Sequence, residues 1–252
     1  RDLDSLEIKT IFHQGACSNT MEWDAEYLFQ NNLLYSKELL KFCLDKSIQL
    51  IYASSASVYG SGTNFKEDIV NECPINLYAY SKYLFDQFVR QHLGKNKSQI
   101  VGLRYFNVYG PRQRESGDYA AVIPKWIKNI LNKQDVEIYG DGKTSRDFCY
   151  IDNAVQANII AALSENEIAK GQVYNISVGD QTSLNNLFSM IHNNIENAIG
   201  ENIKARPIYK DFRAGDIRHS RADISKAKKL LNYLPSHNVE KGIKETVNWY
   251  ID

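Results

Sequence analysis

The chain has 252 residues, of which 30 are basic and 30 acidic, with 43% hydrophobic and 24% charged residues. A balanced charge lacks the electrostatic footprint of a general nucleic-acid binder, and an average composition excludes a disordered or fibrous protein. No apolar run has the length of a membrane span, and the four cysteines show no CxxC spacing, so the sequence predicts a reduced, cytoplasmic protein without a membrane or nucleic-acid partner.

The first half of the chain alternates apolar runs with helical stretches. Residues 9–16, 49–55 and 99–107 are apolar over most of their length and predict strands. Residues 22–46 and 77–93 repeat their apolar side chains at helical spacing and predict helices between those strands. Buried strands separated by helices are typical of a parallel sheet covered on both faces. The sequence therefore predicts an α/β fold.

The second half has shorter elements joined by Gly, Asp and Pro turns. Its periodicity predicts strands and helices at 119–131, 136–139, 146–151, 153–163, 184–194, 224–231 and 239–251. We interpret residues 1–110 as one domain and residues 111–252 mainly as a smaller lobe, from which some segments return to the main sheet.

Candidate catalytic residues follow the predicted strands, because ligands of open parallel sheets bind beyond the carboxyl ends of the strands. Tyr78 and Lys82 lie four residues apart on a predicted helix and therefore share one face. An ammonium group beside a phenol favours the phenolate, so this pair predicts a tyrosine of lowered pKa that takes a proton from a sugar hydroxyl. Ser55, at the end of the preceding strand, can complete the hydrogen-bond relay. The other Tyr-x-x-x-Lys pair spans 139–143, where Gly-Asp-Gly disfavours a helix.

Three strings carry a family resemblance: SSASVYG at 54–60, YAYSK at 78–82 and RYFNVYGPR at 104–112. In this order they resemble the extended short-chain dehydrogenase/reductases, and among them the NAD-dependent epimerase/dehydratase family of nucleotide sugars, over about residues 10–249. The resemblance implies a Rossmann-like parallel sheet that carries the catalytic site and a smaller α/β lobe that binds the nucleotide sugar. It also implies bound NAD, no metal, and a homodimer that pairs the helices of the first half.

The resemblance also implies roles for single residues. Tyr78 looks like the catalytic base, Lys82 like its partner and a contact of the nicotinamide ribose, and Ser55 like the proton-relay hydroxyl. The other implied cofactor contacts are Gln14, Gly15, Ala16, Asn31, Asn32, Ser54 and Val108. Of these, Asn31 or Asn32 matches the asparagine that supports the active site.

The two halves of the chain resemble different members of the family. HQGACS at 13–18 is similar to ADP-glycero-manno-heptose 6-epimerases, but the second catalytic lysine of those enzymes matches Ser116 here. Strings in the second half, at 118–126, 140–153, 174–185 and 211–227, are similar to UDP-N-acetylglucosamine 4-epimerases. We give the second half more weight, because it covers the implied substrate lobe.

The similarity of the second half implies contacts to a UDP-sugar. Asn107, Arg146 and Arg213 look like contacts of the diphosphate, since a guanidinium group matches the geometry of phosphate oxygens. Asp216 looks like a partner of the ribose. The implied walls around the uridine are Ala121, Val122, Trp126 and Tyr139.

The family's glycine-rich turn, Gly-x-x-Gly-x-x-Gly, does not occur in this sequence. Gly60-Ser61-Gly62 lacks the third glycine, and Gly142-Lys143-Thr144 lacks the first glycine of a P-loop. The chain also begins at Arg1. We therefore expect the first strands of the fold to be missing from this chain and its NAD site to be incomplete, which leaves NAD and NADP undistinguished.

These observations predict a nucleotide-sugar epimerase that uses NAD. The favoured reaction is 4-epimerisation of a UDP-hexose or UDP-N-acetylhexosamine through a transient 4-keto sugar, in the biosynthesis of surface polysaccharide. The alternatives are an ADP-glycero-manno-heptose 6-epimerase, a nucleotide-sugar dehydratase or decarboxylase, and a non-catalytic nucleotide-sugar binding protein.

Overall fold

The computed structural model describes residues 7–92, 99–114, 121–213 and 217–252. In these residues the strands are β1 (Thr10–His13), β2 (Gln49–Ser55), β3 (Ile100–Tyr105), β4 (Asn107–Tyr109), β5 (Val136–Tyr139), β6 (Ser145–Arg146), β7 (Phe148–Tyr150), β8 (Gln172–Ile176), β9 (Thr182–Ser183) and β10 (Pro207–Lys210). The α-helices are α1 (Ala25–Leu28), α2 (Tyr35–Lys46), α3 (Leu77–His92), α4 (Val122–Leu131), α5 (Ile151–Leu163), α6 (Leu184–Ile199), α7 (Ser225–Leu231) and α8 (Val239–Ile251). A π-helical segment, Phe29–Leu34, joins α1 to α2, and short 3₁₀ turns cover Ala56–Tyr59, Ile69–Asn71 and Glu167–Ala169.

The chain divides into two units, and the first contains the main sheet. This unit comprises Arg1–Tyr105, Val155–Ile176 and Asp223–Leu234. Its four strands are parallel and lie in the order β1-β2-β3-β8. The predicted α/β fold with a parallel, Rossmann-like sheet is thus confirmed.

Burial explains why these strands are apolar along their length. No residue of the central strands β2 and β3 is exposed, and β3 is buried at five of its six positions, as expected for a sheet covered on both faces. The helices α2 and α3 close one part of this core with their apolar stripes, which include Leu40, Cys43, Phe85 and Val89. The Asn76 side chain accepts a hydrogen bond from the Ala79 N–H at 2.8 Å and so starts α3 at a defined residue.

The second unit comprises Phe106–Ala154, Ser177–Ala222 and Pro235–Asp252. Its strands form three two-stranded ladders, parallel in β4-β7 and β5-β10 and antiparallel in β6-β9. Its core is packed chiefly by α4, α6 and α8. The predicted strand at 99–107 is divided here, since β3 belongs to the first unit and β4 pairs with β7 in the second.

In the parts of the chain that the structure describes, no helix combines the length and the apolar character that crossing a bilayer requires.

Candidate active site

The carboxyl end of β2 brings Ser55 to the start of α3. The Ser55 Oγ accepts hydrogen bonds from the Ser57 N–H at 3.2 Å and the Ser57 hydroxyl at 2.9 Å, and it caps the 3₁₀ turn that follows. The Tyr78 phenol, on the first turn of α3, forms a hydrogen bond with the Ser55 side chain. The structure therefore joins two of the predicted catalytic residues directly.

Lys82 lies one helical turn after Tyr78 and is 7% exposed. Its Nζ donates a hydrogen bond to the Ala53 carbonyl at 3.0 Å. Burial lowers the pKa of Lys82 to about 8, while the negative charges of Asp86 and of an ionised Cys17 act in the opposite direction. The ammonium is thus held at the end of β2, on the same helix as the phenol.

The sequence predicts a lowered pKa for Tyr78, but the chain's own residues do not lower it. Burial raises the pKa of Tyr78 above its ordinary value, and the hydrogen bond with Ser55 offsets only part of that effect. The physical reason is that the Lys82 ammonium donates to a backbone carbonyl, so desolvation of the phenolate dominates. A phenolate at neutral pH therefore requires a further positive charge near Tyr78.

Of the two candidate asparagines, Asn32 contacts the elements that carry the site. It is buried, it accepts from the Cys17 N–H at 2.8 Å, and its Nδ2 donates to the Cys17 carbonyl at 3.0 Å and to Ser81 Oγ at 3.1 Å. Asn31 is half-buried and donates to the Tyr27 carbonyl in its own helical segment. Asn32 therefore ties the loop after β1 to α3.

The loop after β1 offers room for a ligand. No described atom lies within 4 Å of the position that a Cβ would take at Gly15, so the backbone there is open to close approach. Ala16 is exposed beside it, and the Gln14 side chain bonds Asn158 and Tyr105. An open glycine backbone at the end of a strand fits part of a dinucleotide.

Two other predicted cofactor contacts have protein partners in the structure. The Ser54 hydroxyl is buried and donates to Asp86 at 3.0 Å, which leaves its backbone for any further contact. Val108 is half-buried on β4, and its carbonyl accepts from Gln113 at 3.4 Å.

Gly60 serves the turn after β2. Its φ of 55° is in the left-handed region, and a Cβ there would lie 1.9 Å from the Cys73 carbonyl oxygen. The glycines around this turn thus have a backbone role, in agreement with the sequence argument against a phosphate-binding loop.

The second unit carries the predicted diphosphate contacts on neighbouring segments. Asn107 is exposed on β4, and its amide donates to the Asp147 carbonyl at 3.0 Å. Arg146, on β6, is half-buried and donates to the Ser145 carbonyl at 2.9 Å. Arg213 is exposed, and its guanidinium lies 3.8 Å from the centre of the Tyr139 ring. Stacking of this kind orients a guanidinium while leaving its donors available.

The predicted uridine walls differ in their surroundings. Ala121 and Val122 are half-buried at the start of α4. Trp126 is 2% exposed and packs edge-to-face on Phe188 with ring centres 6.4 Å apart, so it belongs to the core of this unit. That position argues against Trp126 as a wall of an open site. Asp216, like Ser116, lies outside the described residues.

Sequence reasoning missed two basic residues of the second unit. Arg218 pairs with Asp141 at 2.6 Å and lies over the Phe212 ring at 5.1 Å, and Arg221 donates to the Gly179 carbonyl at 2.7 Å. Both fall in the 211–227 string, but the resemblance singled out only Arg213 and Asp216 within it. Their partners lie far away in the sequence, so no local spacing marks them.

Sequence reasoning also missed the buried charges behind β2. Arg104 and Asp86 are both fully buried and form an ion pair at 2.8 Å. Arg104 also pairs with Glu72, which is shared with Arg90.

Comparisons with known proteins agree with this geometry. The sequence profile described as the NAD dependent epimerase/dehydratase family matches residues 2–177. An ADP-L-glycero-D-manno-heptose-6-epimerase from Brachyspira hyodysenteriae is 39% identical over 248 residues, which are 96% of this chain and 76% of that protein.

Solved structures of two enzyme types are similar to this chain. One is a UDP-N-acetylglucosamine 4-epimerase from Methanobrevibacter ruminantium M1 in complex with UDP-N-acetylmuramic acid, with 34% identity and a TM-score of 0.86 over 100% of this chain and 81% of that one. Another is the ADP-L-glycero-D-manno-heptose-6-epimerase of Helicobacter pylori, with 31% identity and a TM-score of 0.84 over 98% of this chain and 73% of that one.

Proposed function

Because the chain belongs to the NAD-dependent epimerase/dehydratase family, we propose that it catalyses the 4-epimerisation of a UDP-hexose or UDP-N-acetylhexosamine with NAD as cofactor. The observation that carries the proposal is the Tyr78 phenol, hydrogen-bonded to Ser55, with the Lys82 ammonium one turn along the same helix. Surface polysaccharide biosynthesis in the cytoplasm is the setting that we propose for this reaction.

The chain's own residues suit proton transfer at a sugar hydroxyl. Tyr78 would accept the proton of the C4 hydroxyl, and Ser55, which already bonds the phenol, would bridge the two oxygens. Lys82 would hold its ammonium beside this pair and bond the ribose of the cofactor. The proton returns along the same path when the epimer forms.

NAD, when bound, would supply the hydride acceptor and donor at C4 and a positive charge that favours the Tyr78 phenolate. Tyr78, Lys82, Gly15 and Asn32 fit the nicotinamide half of this cofactor, because they combine a phenol, an ammonium and an open backbone. The sequence contains no glycine-rich turn for the pyrophosphate. We therefore propose that the 252 residues alone hold NAD incompletely.

The UDP-sugar preference rests on the second unit. Asn107, Arg146 and Arg213 would bind the diphosphate, and Tyr139 would stack near the base. The similarity to the archaeal 4-epimerase supports this assignment. The heptose 6-epimerase is the second candidate, and the 39% identical relative favours it. Against it, Ser116 stands where those enzymes have their second catalytic lysine.

The substrate is tested by incubating the full-length protein and NAD with UDP-N-acetylglucosamine, UDP-glucose or ADP-glycero-manno-heptose. We expect proton NMR to show a mixture of C4 epimers from a UDP-sugar, and mass spectrometry to show no change of mass. Conversion of the heptose nucleotide alone would establish the second candidate instead. Loss of one water would mean a dehydratase, and loss of carbon dioxide from UDP-glucuronic acid, offered in a parallel incubation, would mean a decarboxylase. Binding without conversion would mean a non-catalytic protein.

We further propose a homodimer formed through the helices of the first unit. Large apolar side chains on α1–α3 and the loop before them are exposed, including Trp23, Tyr35 and Tyr80. Patches of this kind mark association surfaces. We expect sedimentation velocity at micromolar concentration to show a dimer, and Tyr35→Glu to weaken it. A wild-type monomer at that concentration would contradict the proposal.

A further inference from the structure

Asp86 lies four residues after Lys82 on α3, so the two side chains start from the same face of the helix. Both are buried, with Asp86 0% and Lys82 7% exposed. Charges in such surroundings interact more strongly than at the surface, because little water screens them. We therefore expect the Asp86 carboxylate to act electrostatically on the Lys82 ammonium.

The Asp86 carboxylate is held rigidly against the end of β2. Its Oδ1 accepts from the Tyr52 hydroxyl at 3.0 Å, and its Oδ2 accepts from the Ser54 hydroxyl at 3.0 Å. Tyr52 and Ser54 flank Ala53, whose carbonyl accepts the Lys82 ammonium. Asp86 and Lys82 thus form hydrogen bonds with three consecutive residues of β2, Asp86 with the outer two and Lys82 with the middle one.

Arg104 forms a buried ion pair with the Asp86 carboxylate. Its Nε and NH2 groups donate to Asp86 Oδ2 at 3.1 and 2.8 Å, and both side chains are 0% exposed. Glu72 pairs with Arg104 and Arg90. The charges of the two acids, Asp86 and Glu72, therefore balance those of the two arginines. Removing Asp86 alone would leave an excess positive charge one turn from Lys82.

The other titratable groups near Lys82 do not replace Asp86. Burial raises the pKa of Tyr78, on the same helix, so Tyr78 is a neutral phenol without bound NAD. Burial and the Lys82 charge lower the pKa of His13, on β1, to about 4, so His13 is neutral at assay pH. Cys17, in the loop after β1, interacts with Lys82 only through its ionised form. Asp86 is the carboxylate that acts on Lys82 among the described residues.

We propose that Asp86 is a positioning residue of the reaction, which acts through Lys82 by placing a buried negative charge one helical turn from the residue that carries the ammonium group. This inference rests on the proposed function, because it gives Lys82 the role of a charged partner of Tyr78. It adds a residue that touches neither substrate nor cofactor.

The test measures the Lys82 titration directly, without any assay of activity. The full-length protein is labelled with ¹³C-lysine, and the Lys82 signal is assigned by its loss in Lys82→Arg. We expect Asp86→Asn to lower the midpoint of the Lys82 titration by about 1 pH unit or more, because the opposite charge is gone. Arg104→Gln is the matched control, since it breaks the same buried ion pair but leaves the carboxylate. Its Lys82 midpoint should stay at or above that of the wild type.

A third variant keeps the test decisive if Asp86→Asn alone does not fold, as breaking a buried pair from one side is costly. The double variant Asp86→Asn/Arg104→Gln removes both charges and differs from Arg104→Gln only at Asp86. We expect its Lys82 midpoint to lie below that of Arg104→Gln. Equal midpoints in these two variants would overturn the inference.

The pH profile of epimerisation separates this inference from the proposed function. If Asp86 acts through Lys82, the limb of the kcat profile that reports Lys82 shifts with the NMR midpoint in each variant. An NMR shift with an unmoved pH profile would support the charge effect of Asp86 and contradict the catalytic role of Lys82. Unmoved NMR midpoints would overturn the inference whatever the enzyme's activity.

Discussion

We expect Tyr78→Phe to lower the epimerisation rate of the full-length protein by about 10²–10⁴-fold, the usual contribution of a positioned general base. The substitution removes the phenolic oxygen and keeps the ring, so the packing at the start of α3 is retained. The hydrogen bond with Ser55 is lost with that oxygen. The measurement is the initial rate of UDP-sugar epimerisation with saturating NAD and substrate.

Tyr80→Phe is the matched control on the same helix. Tyr80 is 45% exposed and its ring lies 5.8 Å from that of Tyr83, so loss of its hydroxyl is not expected to affect the rate. Circular dichroism of both variants should equal that of the wild type. If Tyr78→Phe keeps more than a few per cent of the wild-type rate, another group is the base.

The sequence predicted those parts of the molecule that depend on local pattern. Apolar runs predicted three of the four strands of the parallel sheet, β1, β2 and β3, but not β8. The four-residue spacing placed Tyr78 and Lys82 on one helical face. Both features follow from the repeat of a strand or a helix. The assignment of Tyr78 as the base remains a prediction that the rate measurement tests.

Burial and long-range pairing escaped the sequence analysis. The spacing of Tyr78 and Lys82 could not show that the ammonium donates to Ala53, or that desolvation raises the pKa of the phenol. Asp86 and Arg104 are 18 residues apart and meet only because β3 lies beside β2. Helical spacing alone likewise could not decide whether Trp126 faces a ligand or the core.

Asp147 is a structural determinant that the motifs did not reveal. It follows Arg146 directly and is 0% exposed. One carboxylate oxygen accepts from the Ser177 hydroxyl and the Val178 N–H, and the other accepts from the N–H groups of Gly179 and Ala222 at 3.0 and 3.1 Å. It thereby fastens two loops of the second unit to the segment that carries Arg146.

Asp147→Ala should lower the free energy of unfolding by about 3–5 kcal/mol, because a buried hydroxyl, a buried N–H group and two half-buried N–H groups lose their acceptor. For a chain of this size that loss lowers the melting temperature by roughly 10 °C. Asp180→Ala is the control in the same region, since Asp180 is exposed and should change stability by less than about 0.5 kcal/mol. Urea unfolding followed by fluorescence measures both, and equal stabilities would show that Asp147 does not fasten the loops.

The difference in stability between the wild type and Asp147→Asn should depend on pH, because only the wild type has a titrating carboxyl group at this position. Burial raises the pKa of Asp147 to about 6, from an ordinary value of 3.8, against the pull of its hydrogen-bond donors. The folded state therefore disfavours the ionised form relative to the unfolded state, and the wild type loses stability as pH rises from 3.8 towards 6. The amide group that the substitution introduces does not titrate, and all other groups are common to both proteins. The stability advantage of the wild type over Asp147→Asn should thus shrink by about 1.4 kcal/mol between about pH 5 and about pH 7.5. An advantage that stays constant or grows over this range would mean that the hydrogen bonds outweigh desolvation and that the carboxyl pKa is not raised.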